Sequence, residues 1–258
     1  MQFHVVIPAR FASTRLPGKP LLPIGGIPMI QRVVERACES AAADVVVATD
    51  DERIAAVVRD PRRPGENIAV MTDPALPSGT DRTAAVAALR GWQDETLVVN
   101  VQGDEPFVSP RLIDQVARLL RDRSDADIAT LATPITGIEE LIDPNVVKVV
   151  AANDGLAMYF SRAPIPWVRD GASAGLLTQR DFRGARRHVG MYAYRAGALR
   201  RITSMGPSEL ERYEQLEQLR ALQNGIDIVV AECMETPGPG VDTTADLERA
   251  RARVDRGH

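Results

Sequence analysis

Three basic side chains, Arg10, Arg15 and Lys19, stand in one short stretch, IPARFASTRLPGKPL (residues 7–21), directly after an apolar run. A guanidinium is a planar fork matched to phosphate oxygens and an ammonium a compact point charge, so the trio suits a polyanion such as a triphosphate. Pro17, Pro20 and Pro23 stiffen the loop, which lowers the ordering entropy lost on binding. Neither common phosphate loop is present. In a G-x-x-x-x-G-K-[ST] frame, Ser13 takes the first glycine's place and Pro20 that of the hydroxyl residue, and no G-x-G-x-x-G occurs. Anion contacts would then come from side chains as much as from backbone. A solvated basic surface loop accounts for the same residues.

Two carboxylates stand out elsewhere. Asp104 lies in VNVQGDEP just past a strand that is apolar except for Asn100 and Gln102. A carboxylate there is a natural Mg²⁺ ligand, because magnesium takes one or two carboxylates together with phosphate oxygens. A plain Gly-Asp turn is the alternative. Asp242 is presented by the rigid turn PGPGVDT, where it could equally cap the final helix, Thr244–Val254.

Placing these residues requires a scaffold, and the first half of the chain supplies one. FHVVI, DVVVA, NIAVM, TLVVNV and DIATLA read as buried strands, separated by helical patterns over Pro28–Ser40, Asp51–Arg59, Thr80–Arg90 and Pro110–Arg121. That alternation predicts an α/β, Rossmann-like, mostly parallel sheet with helices on both faces. Ligands of such sheets bind beyond the carboxyl ends of the strands, so the loops after Ile7 and Val101 are the places to look. VVKVVAANDGLAMYF predicts a hairpin turning at Asn153-Asp154-Gly155, followed by a polar, mobile loop over Arg169–Arg187 and a strand over His188–Arg195. The expectation is one domain, 1–258, with 140–195 as an antiparallel extension. Ser208–Asn224 predicts a single helix, with a capping box of Ser208 and Glu211 and a stop at Gly225. Its apolar residues, Leu210, Tyr213, Leu216, Leu219 and Leu222, would spread over roughly 240° and so pack on two sides, one of them open to a partner subunit.

Composition narrows the classes. The net charge of −4 over 258 residues gives no broad footprint for nucleic acid. No apolar run approaches the roughly 20 residues of a membrane span. FHVVI ends at Pro8, too short for a secretory signal, so a cytoplasmic protein with Cys38 and Cys233 reduced is expected. The absent glycine fingerprint argues against a nicotinamide oxidoreductase.

Together the segments resemble the 3-deoxy-manno-octulosonate cytidylyltransferases, the CMP-Kdo synthetases of lipopolysaccharide biosynthesis. The stretches that carry the resemblance are IPARFASTRLPGKPL, VVVATDD, SGTDR, NVQGDEP, PNVVKVV, FSRAPIPW, RHVGMYAYR, LEQLR and PGPGVDT, which span residues 5–243. ARFASTRLPGKP alone would fit a CMP-sialate synthetase as well; FSRAPIPW, RHVGMYAYR and LEQLR narrow it to Kdo. The resemblance implies attack of the anomeric hydroxyl of Kdo on the α-phosphate of CTP, with pyrophosphate released and Mg²⁺ as cofactor, in a homodimer. It implies that Arg10, Arg15 and Lys19 hold the triphosphate and that Asp104 and Asp242 bind the metal. Pro8, Ala9, Arg10, Ser78, Arg82 and Gln102 would line the cytidine site, and Gln102, Arg162, His188, Tyr192, Glu217 and Gln218 would recognise the sugar acid. Two departures bear on this: Val168 follows Trp167 where relatives often carry an acidic residue, and Leu76-Pro77 precede SGTDR where more polar residues are expected. A silent nucleotide-sensing domain is a rival class, but it predicts a lost carboxylate or cation, and all are present.

Overall fold

A computed structural model describes residues 2–12, 16–172 and 174–256. β1 (Phe3–Ala9), the short hairpin β2 (Pro23–Ile24) and β3 (Ile27–Pro28), and α1 (Met29–Cys38) open the fold. β4 (Asp44–Thr49), α2 (Glu52–Val57), β5 (Ala69–Met71), α3 (Gly79–Leu89), β6 (Leu97–Asn100) and α4 (Pro110–Asp122) continue the alternation. β7 (Ile128–Pro134), α5 (Ile138–Ile142), β8 (Lys148–Ala151), β9 (Ala157–Ser161) and β10 (Arg186–Arg195) follow. The chain ends with α6 (Ala196–Ser204), α7 (Glu209–Glu214), α8 (Gln218–Gln223), β11 (Ile228–Glu232) and α9 (Thr244–Asp255).

Among the described residues, nine strands form one sheet in the order β11-β7-β10-β6-β1-β4-β5, with β8 paired to β10 and β9 to β8. β1, β4, β5 and β6 run parallel, as do β7 and β11. The strands are valine-rich because both faces are covered, so successive residues must all be apolar. Val5, Val45, Val47 and Val99 face a core closed by α1 and α4, while Val6, Val46 and Val98 face one closed by α3, α6 and α8. α1 and α4 bury their residues at helical spacing, Ile30, Val33, Val34 and Ala37 in one and Leu112, Ile113, Val116 and Leu120 in the other.

Three expectations are corrected. First, β10 is not part of an extension laid over the sheet. Its second half, Tyr192–Arg195, is hydrogen-bonded between β6 and β7 and runs antiparallel to both. Its first residues, Arg186–Val189, stay paired with β7 and at Arg187 also meet β8, through which the β8–β9 hairpin joins the sheet. Within residues 140–195 a polar loop does follow the hairpin, and it is folded around the buried Gln179, whose Nε2 donates to Val168 O and whose Oε1 accepts from the amides of Arg180 and Asp181. Second, the single helix over Ser208–Asn224 is two helices. The Ser208/Glu211 capping box and the stop at Gly225 are present, but Gln215 adopts a left-handed φ of 55° and breaks the ladder after α7. Leu216 and Leu219 turn into the core, whereas Tyr213 is left 73% exposed. Third, α5, α6 and β11 had no counterpart in the sequence reading.

A third, smaller core fixes the far end of the chain. Leu16, Ile24, Met29, Val241, Leu247 and Ala250 bury one another, which clamps α9 and the segment before it onto the loop that follows β1.

Candidate active site

The carboxyl ends of β1 and β6 and the turn before α9 meet at one point. Lys19 opens a single 3-10 turn, Lys19–Leu21, just after Gly18. Its Nζ donates to Asp104 Oδ2 at 2.6 Å, to Asp242 Oδ1 at 3.2 Å and to Val241 O at 3.1 Å. Backbone geometry enforces the meeting. Val241 N donates to Asp104 O at 2.9 Å, and Gly103 lies so close to Pro8 O that a Cβ there would stand at 2.8 Å. Gly238 likewise presses against the Phe107 carbonyl, where a side chain would collide. Thr243, not Asp242, caps α9, in a capping box with Asp246. Asp242 is thereby left to face Lys19.

The site is electrostatically crowded. Glu105, half-buried, is pushed up to about 7 by burial and by the neighbouring charges of Asp104 and Asp242. Among the described residues no group of three or more His, Cys, Asp or Glu side chains is arranged to hold a metal by itself. Two carboxylates oxygen-ligate well only with help from other oxygens. Arg10 donates from Nη2 to Leu76 O at 2.8 Å, which ties the end of β1 to the segment preceding α3. Arg15 lies outside the described residues.

Beside this cluster, a cavity of about 260 Å³ lies on the α3/α8 face of the sheet. Gln102, His188, Tyr192, Glu217, Gln218 and Ser78 all line it. Gln102 is the hinge between the two regions: Asp104 is two residues on, and Gln102 Nε2 approaches Gly190 O at 3.4 Å. β10 can contribute here because it is antiparallel, so its amino-terminal residues emerge where β6 ends. Between Val189 and Tyr192 it also bulges, advancing three residues while β7 advances one. Thr130 Oγ1 sits in the bulge, within 3.1 Å of Val189 O and 2.8 Å of Met191 O. Both carbonyls only accept, so the hydroxyl's hydrogen goes to them and its 2.9 Å contact with His188 Nε2 is donated by the ring. His188 Nδ1 is then the acceptor, and burial pulls the imidazole down to about 3, so it is neutral. Glu217 accepts from Thr80 Oγ1 at 2.7 Å, which anchors the start of α8 to α3.

Two expected contact residues lie elsewhere. Arg82 is fully buried; its Nη2 donates to Asp50 at 2.5 Å and its Nη1 to Thr72 Oγ1 at 2.6 Å. It supports α3 from below instead of presenting a free guanidinium. Arg162 is outside the cavity lining, and its guanidinium donates to the carbonyls of Glu214 and Pro144 at 2.7 Å and approaches that of Gln215 at 3.4 Å. Pro8 is half-buried against Gly79, Ala9 is buried, and Ser78 uses its hydroxyl to cap α3 and to reach Asp81. Polar cavity-lining residues to which the sequence assigns no role in the site are Thr80, Asn100, Tyr194, Gln215 and Arg220. Asn100 alone had a visible signal, as a polar residue inside a valine run.

Comparison with known proteins decides the family. The family described as Cytidylyltransferase matches residues 4–228. A 3-deoxy-manno-octulosonate cytidylyltransferase of Methylococcus capsulatus is 53% identical over 253 residues, 98% of this chain and 96% of the relative. The chain belongs to the 3-deoxy-manno-octulosonate cytidylyltransferases. A second such cytidylyltransferase, from Xanthomonas euvesicatoria pv. vesicatoria, is 54% identical over 256 residues, 98% of this chain and 96% of its own. A solved structure of CMP:2-keto-3-deoxy-manno-octonic acid synthetase complexed with CTP aligns at a TM-score of 0.86 with 41% identity, covering 100% of this chain and 99% of that one. A putative glucose-1-phosphate thymidylyltransferase from Bacillus anthracis, at 16% identity and a TM-score of 0.63, covering 98% of this chain and 95% of its own, shares the fold. This cytidylyltransferase has no helix, among the described residues, long and apolar enough to cross a membrane.

Proposed function

We propose that this chain joins the cytidylyl group of CTP to 3-deoxy-D-manno-octulosonate (Kdo), forming CMP-Kdo and pyrophosphate for lipopolysaccharide biosynthesis. The anomeric oxygen of Kdo bonds to the α-phosphorus, the bond from that phosphorus to the β-phosphate bridge breaks, and the hydroxyl proton is released. The observation that supports this most is the meeting of Lys19, Asp104 and Asp242 beside a cavity whose polar lining includes Gln102, His188, Tyr192 and Glu217, in a chain more than half identical to cytidylyltransferases of that name.

The acceptor is an anion and so is the triphosphate, so fixed cations must offset their repulsion. Lys19, Arg10 and Arg15 are the groups we assign to the triphosphate. Gln102, His188, Tyr192, Glu217 and Gln218 are those we assign to the sugar acid. Ser78, Pro8 and Ala9 border the cytidine side. Arg82 and Arg162 act through their neighbours, as positioning residues.

Asp104 and Asp242 fit Mg²⁺ as hard oxygen donors already gathered about one cation, with triphosphate oxygens completing the shell. Glu105, raised first by burial and then by the charges of Asp104 and Asp242, stands beside the same carboxylates, whose negative charge a divalent ion would offset. When bound, Mg²⁺ would neutralise triphosphate charge and acidify the attacking hydroxyl. Our reading further makes the protein a cytoplasmic homodimer, for which the exposed Tyr213 on α7 offers an apolar contact. Sedimentation of Tyr213→Glu tests that contact; a folded, unchanged dimer excludes it.

Pyrophosphate release from CTP, measured with Kdo, N-acetylneuraminate and sugar 1-phosphates in turn, tests the function. Release with Kdo is expected, and turnover confined to a sugar phosphate overturns the reading.

A further inference from the structure

Strand register aligns Val230, Thr130, Tyr192, Asn100, Val6 and Val46 in one row across β11, β7, β10, β6, β1 and β4. Registered neighbours project from the same face, with Cβ atoms about 5 Å apart. Valine at both ends is what a face buried under helices calls for. Three polar side chains in the middle of the row are not.

One of the three is satisfied within the protein. Thr130 bonds the two carbonyls of the bulge and His188. The other two are not. Asn100 is 2% exposed and its Oδ1 meets no donor; Tyr192 is 8% exposed and its hydroxyl has no partner. Both line the cavity. Buried polar atoms in folded proteins nearly always find a partner, and leaving one unmade is costly. Two such groups side by side on the floor of a cavity form a receptor for a ligand that hydrogen-bonds to both.

Their chemistry limits the ligand. An amide offers an acceptor and a donor, and burial keeps the Tyr192 phenol protonated, with its pKa raised well above the ordinary tyrosine range. Neither group carries charge, so neither supplies the fixed cation that would offset the charge of a phosphate or carboxylate. A hydroxyl both donates and accepts, which is what an amide beside a phenol can answer. We propose that Asn100, acting with Tyr192, reads hydroxyl groups of the polyhydroxylated acceptor from the sheet floor and so sets which sugar acid is accepted. The proposal rests on the function given above and adds Asn100 to it as a specificity-determining residue.

The test measures pyrophosphate release by the wild-type protein, Asn100→Ala and Tyr192→Phe, varying CTP and Kdo separately, with thermal unfolding of each without substrate. Asn100→Ala should raise the Kdo KM about tenfold and leave the CTP KM within about twofold. Tyr192→Phe, which keeps the ring and removes only the unpartnered hydroxyl, should raise the Kdo KM while leaving the unfolding temperature unchanged or higher, and it carries the test alone if Asn100→Ala does not fold. Asn100→Ser should recover part of the lost Kdo affinity. A Kdo KM unchanged in the variants overturns the proposal, as does one that rises only together with the CTP KM and a falling unfolding temperature. A wild-type protein that releases no pyrophosphate with Kdo would instead sink the underlying function.

Discussion

The ammonium of Lys19 lies 2.6 Å from Asp104 Oδ2, joining the loop after β1 to the loop after β6. Asp104 keeps about a third of its side chain in solvent, so the pair contributes at most about 1 kcal/mol to stability. The value we propose for it is in the reaction. Asp104→Asn, which keeps the shape and removes the charge, should cut CMP-Kdo formation by about 10²-fold or more while barely moving the unfolding temperature. Steady-state pyrophosphate release beside a thermal melt checks this, and retained activity would remove Asp104 from the mechanism.

Arg82 leads to the opposite expectation. Its guanidinium is wholly buried and holds Asp50, Thr72 and the Asp73 carbonyl. Arg82→Met leaves Asp50 without its cation, and breaking a buried pair from one side costs about 3–5 kcal/mol. Denaturant unfolding should register that loss, while the CTP KM of the folded variant stays within a few-fold of wild type. A variant of normal stability with a weakened CTP KM would restore Arg82 to direct contact.

The contrast between these two residues marks what could be read from sequence. Asp104 and Lys19 follow strands of a parallel sheet, and the rule that ligands gather at carboxyl strand ends sufficed to select their loops. For Asp242 the sequence leaves cap and ligand equally open, and the placement of Thr243 as the cap removes the first of these roles. Arg82 and Arg162 were matched by motif, and a motif does not say which way a side chain turns. The break at Gln215 was hidden because leucines at every third position satisfy one long helix and two short ones alike. β10 was misplaced because an alternating strand carries no mark of which neighbours it will join.

Arg162 braces the elbow between α7 and α8. Its guanidinium reaches the carbonyls of Pro144, Glu214 and Gln215, its amide donates to Glu214 Oε2 at 2.9 Å, and its own carbonyl accepts from the buried Lys148 at 2.6 Å. Glu217 and Gln218 follow that elbow. Arg162→Ala should therefore raise the Kdo KM and lower stability together, by about 1–3 kcal/mol for carbonyls left without donors. A Kdo KM that rises with stability untouched would identify a direct contact with the sugar acid, whereas Lys19→Ala is expected to weaken CTP use most.

His188 supplies a pH signature. Burial holds its folded-state value at about 3, well below the roughly 6.5 of an exposed imidazole, so the unfolded chain takes up a proton that the folded one refuses. The stability this contributes is fully present above about pH 6.5 and is lost as pH falls towards 3, with a slope of at most about 1.4 kcal/mol per pH unit. The cavity admits water, so the integrated loss is smaller than the full window would give. Denaturant unfolding of wild type and His188→Gln at about pH 7, 5.5 and 4 isolates the effect, because the carboxylates that also titrate are common to both. The wild type should lose stability faster than the variant on acidification, and parallel curves would mean that the imidazole ionises normally inside the fold.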